Sequence, residues 1–239
     1  MLFRSPLTTG DLYATGINRI LFFSHSNPDV LDSATQPGAP TEQFLAYTAI
    51  NDTVHAVATG NLLTISAGFL RLLDSKSKKQ KGSKVAIKGS ARALASHRDR
   101  KLLAWASGDR QIVAWDITKP DFHPMPFQKA SQALAFSADG KRLAAAIDWN
   151  LMVLDWQQKR DVAMIRGHKS RVTSLGYAPD GTLFSGSWDG TVKQWDSAGR
   201  EIRTLDFKQG RISCLAISRD GSRAVVGTDR GSIVIWDLM

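Results

Sequence analysis

Four apolar runs near the C-terminal half of the chain end alike and at a fixed interval, and this recurrence constrains the fold more than any other feature. QIVAWD ends at Asp116, NLMVLDW at Trp156, TVKQWD at Asp196 and SIVIWD at Asp237. From Trp115 to Asp155 is 40 residues, from Asp155 to Trp195 is 40, and from Trp195 to Trp236 is 41. A period of this length marks one supersecondary unit repeated along the chain, each copy burying its apolar face against its neighbours.

The unit reads most clearly from Gly167 to Asp196, GHKSRVTSLGYAPDGTLFSGSWDGTVKQWD. Val172 to Tyr177 is a short apolar-rich run, Pro179, Asp180 and Gly181 supply turn chemistry, and Leu183 to Ser187 is a second run. Asp189 and Gly190 make the next turn before Val192 to Trp195. Strands joined this tightly are antiparallel neighbours, because a parallel return needs a crossover of about a dozen residues. Asp139-Gly140, Asp180-Gly181 and Asp220-Gly221 repeat the first turn in consecutive units. Fourth strands of weaker pattern, VAMIR from Val162 and EIRTLDF from Glu201, follow in two of them. The chain is therefore expected to be all-β, built of four-stranded antiparallel sheets.

The glycine-histidine opening, the serine-x-aspartate turn and the tryptophan-aspartate close resemble a WD40 repeat, one blade of a β-propeller. The resemblance implies a hydrogen-bonded brace inside the blade from His168, Ser185 or Ser187, Asp189 and Trp195. Such a brace is structural, since a buried indole N–H and a buried imidazole each need a partner.

Upstream, FLRLLD (Phe69 to Asp74), preceded by NLLTIS from Asn61, marks a further blade without a brace, and NPDVLDSATQPGAP reads as loop where a first blade would lie. The last tryptophan-aspartate falls next to Met239. In this family the N-terminus commonly supplies the missing outer strand, and NRILFF (Asn18 to Phe23) is the candidate. The expectation is a WD40-type β-propeller of about six blades, with an incomplete seven-bladed ring left open. Residues 1–50 would hold the closing strand and a degenerate first blade, and 51–239 the propeller blades.

No apolar run reaches the length of a membrane span, and no leader of signal-peptide type opens the sequence. One cysteine, Cys214, rules out an internal disulfide or a multi-cysteine zinc site. These features suit a cytoplasmic protein, with the nucleus as the alternative. The net charge of +9 is confined to one segment: between Arg71 and Lys101 there are eleven basic residues and two acids, and the rest of the chain is balanced. Within it, Lys76, Lys78, Lys79, Lys81 and Lys84 form a dense positive loop suited to nucleic acid or another polyanion. No aromatic residue is interleaved with these lysines, which argues against stacking of single-stranded bases.

Nothing in the sequence announces catalysis. The five histidines show no metal-ligand spacing, and no phosphate-cradling glycine motif or nucleophile elbow is present. Neither catalytic residues, metal ligands nor a cofactor are expected, and a propeller enzyme is the weakest reading. The resemblance implies instead a protein-interaction scaffold whose narrow face, around the central channel, meets protein or peptide partners. The residues mapping there are Arg110, Trp149, Arg171, Trp188, Arg211 and Asp229. The rival is a propeller associated with nucleic acid or ribonucleoprotein through residues 71–101.

Overall fold

The computed structural model describes side chains over residues 93–97, 101–107, 109–118, 131–218 and 220–238, and elsewhere the backbone of individual strands. Strands are the only regular elements among the described residues, and they form six antiparallel sheets. The first holds β1 (Leu12–Gly16), β2 (Arg19–Phe23) and β3 (Val30–Thr35). The second holds β4 (Gln43–Ala49), β5 (Val54–Gly60), β6 (Gly68–Asp74) and β7 (Val85–Ile87). The third holds β8 (Ala91–His97), β9 (Leu102–Ser107), β10 (Gln111–Asp116) and β11 (His123–Pro126), and the fourth β12 (Leu134–Phe136), β13 (Arg142–Ile147), β14 (Asn150–Asp155) and β15 (Arg160–Ile165). In the fifth are β16 (Val172–Tyr177), β17 (Leu183–Ser187), β18 (Thr191–Trp195) and β19 (Glu201–Asp206). The sixth has β20 (Ile212–Ile217), β21 (Arg223–Thr228) and β22 (Ile233–Asp237).

Strand order within every sheet follows chain order, so each is a meander, and the first strands of successive sheets pack side by side from β4 to β20. This is the blade arrangement the 40-residue period requires. The hairpins owe their geometry to the aspartate-glycine pairs. Gly140, Gly181 and Gly221 adopt φ of 66, 89 and 72°, a left-handed conformation that costs other residues strain. Ahead of each, the aspartate Oδ1 accepts the backbone N–H two residues on, from Lys141, Thr182 and Ser222 at 3.0, 2.9 and 3.0 Å. The turn is thereby built three times from the same two residues.

Apolar layers lie between sheets. Leu143 and Leu154 of the fourth sheet pack with Ile112 and Ala114 of the third, Leu183 and Trp195 of the fifth with Val153 and Leu151, and Ile212 and Val226 of the sixth with Phe184 and Val192. Outer strands β15 and β19 are mostly exposed, including the apolar Val162 and Met164 of β15 and Ile202 of β19.

Two features at the N-terminal end differ from expectation. The run from Asn18 to Phe23, expected to close the last sheet, forms β2 and pairs with β1 on one edge and β3 on the other. Short connections bring those neighbours to it at little loop-closure cost, and a strand paired on both edges has none left to offer β22. The stretch expected as loop contains β3. NLLTIS lies outside the described residues apart from its position between β5 and β6, and β5 at Val54–Gly60 is the strand that precedes FLRLLD. On the described strands the sixth sheet stops at β22, where Ile233 and Ile235 are 72% and 65% exposed.

Candidate functional site

The fifth sheet contains a directed chain of hydrogen bonds. His168, just ahead of β16 and buried, places Nδ1 2.8 Å from Asp189 Oδ2 and Nε2 2.7 Å from Ser185 Oγ. Trp195 Nε1–H donates to the same Ser185 Oγ at 2.8 Å. The carboxylate only accepts, so Nδ1 carries the proton toward Asp189, Nε2 accepts from the Ser185 hydroxyl, and that hydroxyl accepts from the indole. Every polar atom in the chain is satisfied. Asp189 also accepts the N–H of Lys169 at 2.9 Å, the N–H of Thr191 at 3.0 Å and the Thr191 hydroxyl at 2.6 Å. Burial alone would raise its pKa, but the bonds from His168, Thr191 and Lys169 outweigh that and hold it well below the usual carboxylate range.

Local sequence dictates this arrangement. Ser185 and Ser187 alternate onto one side of β17; Ser185 meets the imidazole and the indole, while Ser187 donates to Ser170 O at 3.0 Å and accepts the Asp189 N–H. Gly167 is required by proximity, since a Cβ there would lie 2.8 Å from the Trp195 ring. The set has the composition of a hydrolytic triad, yet Ser185 is fully buried and its hydroxyl is engaged on both sides. Geometrically it is a brace.

Above the brace the same turn presents an exposed layer. Trp188 lies between Ser187 and Asp189 and is 40% exposed. The Arg171 guanidinium carbon lies 4.9 Å from the centroid of the Trp188 ring and that of Arg211 5.5 Å. Backbone bonds fix all three: Trp188 N–H donates to Arg171 O at 2.9 Å, Asp229 N–H to Arg211 O at 3.0 Å, and Arg211 N–H to Asp229 Oδ1 at 2.9 Å. Val172 N–H donates to Asp148 O at 2.7 Å, which joins the turn carrying Trp149, itself 58% exposed, to the same strand start. Arg171, Trp188, Arg211 and Asp229 are thus brought together, with Trp149 on the preceding turn. Arg110 occupies the corresponding turn of the third sheet, apart from the cluster, with φ of 66°. The joining of two arginines on one indole has a trace in the sequence: Arg171 and Arg211 lie 40 residues apart, each just before the first buried residue of its sheet.

At the other end of the hairpins a cavity of about 330 Å³ opens between the fourth and fifth sheets, lined by Asp139, Arg142, Tyr177, Asp180 and Asp196 among others. Burial first, with Asp139 adding to it and Arg142 opposing, pushes the Tyr177 phenol up to about 12. The aspartates there are committed to their own turns. No group of three His, Cys, Asp or Glu among the described residues is arranged to hold a metal ion. Lys76, Lys78, Lys79, Lys81 and Lys84 fall between β6 and β7, outside the described residues. No helix is long and apolar enough to cross a membrane among the described residues.

Four-stranded meanders repeated at a 40-residue period, one of them braced through His168, Ser185, Asp189 and Trp195, define a β-propeller repeat protein. The family model described as WD domain, G-beta repeat matches residues 159–196 and 199–237, so these two repeats are of the WD40 type. It is 33% identical over 147 residues to an uncharacterized WD repeat-containing protein of Synechocystis, covering 59% of this chain and 42% of the relative. It is 36% identical over 76 residues to the small ribosomal subunit protein RACK1y of rice, covering 30% and 23%. Over 156 residues it is 28% identical to the target of rapamycin complex subunit wat1 of fission yeast, covering 59% and 47%. The chain spans less than half the length of these relatives.

Proposed function

We propose that the chain is a non-catalytic scaffold holding protein or peptide partners on the turn face that carries Arg171, Trp188, Arg211 and Asp229, with Trp149 and Arg110 on neighbouring turns. The observation that carries this reading is an exposed tryptophan flanked by two arginines on a turn fixed from below by a satisfied brace. Tryptophan and arginine are the residues that dominate binding energy at interfaces, and a turn already ordered loses little entropy when a partner docks. Two relatives are named as subunits of larger assemblies, which supports a scaffold role in the cytoplasm or nucleus. Affinity capture from a lysate with wild type and Trp188→Ala tests it. Loss of a defined set of partners from the variant is the expected result, and unchanged recovery of every partner overturns the assignment.

One observation favours a second reading, the confinement of all excess charge to residues 71–101. The chain is also 31% identical over 206 residues to a U3 snoRNP-associated protein-like protein of Arabidopsis, covering 62% of this chain and 42% of that protein. Binding of RNA or DNA that falls steeply with added salt, and disappears when Lys76, Lys78, Lys79 and Lys81 become Glu, is its expected signature. Absence of binding at low salt removes it.

A further inference from the structure

We infer that the Arg171–Trp188–Arg211 cluster is a recognition site for an acidic peptide, engaging carboxylate or phosphate oxyanions on the partner's side chains. The inference rests on the turn-face reading above and assigns it a partner chemistry. Two cations stand on one indole, and among the described residues neither guanidinium has an ion pair or a side-chain hydrogen bond. Of the carboxylates in the neighbouring turns, Asp189 is engaged by His168, Lys169 N–H and Thr191, and Asp229 accepts the backbone N–H of Arg211 through Oδ1. Lys169 and Arg230 lie exposed beside them and deepen the positive field. Contact with the indole restricts the rotamers of both arginines, and their N–H groups are the ones that can meet an oxyanion in the bidentate geometry arginine favours. Trp149, exposed on the turn tied to Val172, supplies an apolar surface for a residue flanking the acid.

The test is fluorescence anisotropy of the full chain with three labelled peptides of one sequence, bearing glutamates, phosphoserines or glutamines. Binding of the glutamate or phosphoserine peptide but not the glutamine peptide is expected, and the tighter of the two names the oxyanion. Arg171→Gln with Arg211→Gln is expected to weaken binding about tenfold or more, since each charge-assisted bond lost from a desolvated pair contributes at least that factor. Its melting temperature should match wild type, both being surface changes. Neutralising Lys76, Lys78, Lys79 and Lys81 to Gln should leave peptide affinity unchanged. Three results overturn the inference: neither anionic peptide binds, the lysine variant loses the binding instead of the arginine variant, or an RNA oligonucleotide occupies the arginines in preference to the peptides. If neither anionic peptide binds while lysate capture still depends on Trp188, the acidic chemistry falls and the turn-face reading stands.

Discussion

At the scale of single residues, two tryptophans in equivalent positions have opposite fates. Trp195 donates to Ser185, ten residues earlier, whereas the residue ten before Trp236 is Val226 and the Trp236 indole N–H has no partner among the described residues. An unmet buried donor costs about 1–3 kcal/mol, so the same substitution has opposite consequences at the two sites. Trp195→Phe should lower stability by about 1–3 kcal/mol in urea denaturation, and Trp236→Phe should be neutral or slightly stabilising. His168→Ala removes a buried ring, leaves the Ser185 hydroxyl without its acceptor and takes one of several donors from Asp189, with an expected cost of a few kcal/mol. The brace also titrates. The folded-state pKa of Asp189 is lowered, so its contribution is fully present above the ordinary carboxylate pKa and is lost as pH falls below it toward the folded value. Between about pH 5 and pH 3 the urea midpoint of wild type should therefore fall more steeply than that of Asp189→Asn. Equal slopes would show that the bonds from His168, Thr191 and Lys169 do not lower the Asp189 pKa in the folded state.

At the scale of elements, the turns between second and third strands carry both the order and the exposed side chains. Gly190 and Gly231 take φ of 86 and 80° in the fifth and sixth sheets, and Arg110 takes 66° in the third. Each donates its N–H back across the turn, to Ser187, Thr228 and Ser107 respectively. A side chain in that conformation is strained, by about 1–2 kcal/mol, offset in part by the greater freedom glycine has when unfolded. Arg110→Gly is thus expected to stabilise by up to about 1 kcal/mol, read as a rise in melting temperature. The brace was legible through the resemblance, which implied its members within one repeat and left Ser185 and Ser187 both open. The stack on Trp188 was legible only as separate turn positions, since Arg211 belongs to the next sheet and its approach depends on how two sheets pack.

At the scale of the molecule, the third to sixth sheets, placed side by side, share apolar layers, and each is buried against its neighbour. On the described strands the sixth sheet presents β22 as an open edge, with Ile233 and Ile235 outward and Val234 and Trp236 packed inward. An exposed apolar edge is a template for pairing with other chains. Ile235→Lys should cost little stability, because the side chain is 65% exposed, and should reduce concentration-dependent association in light scattering. Undiminished association would place the contact elsewhere.

The sequence by itself determined the period, the all-β class and the hairpin turns. All of these follow from residues close together in the chain, whose spacing is set by strand length and turn geometry. Only the tertiary structure decided that Ser185 and not Ser187 meets the imidazole, that β2 is enclosed between β1 and β3, and that Arg171 and Arg211 converge on Trp188. Each of those depends on which backbone edge or side-chain face is already taken by a neighbour, and that competition is settled only when the sheets are in place.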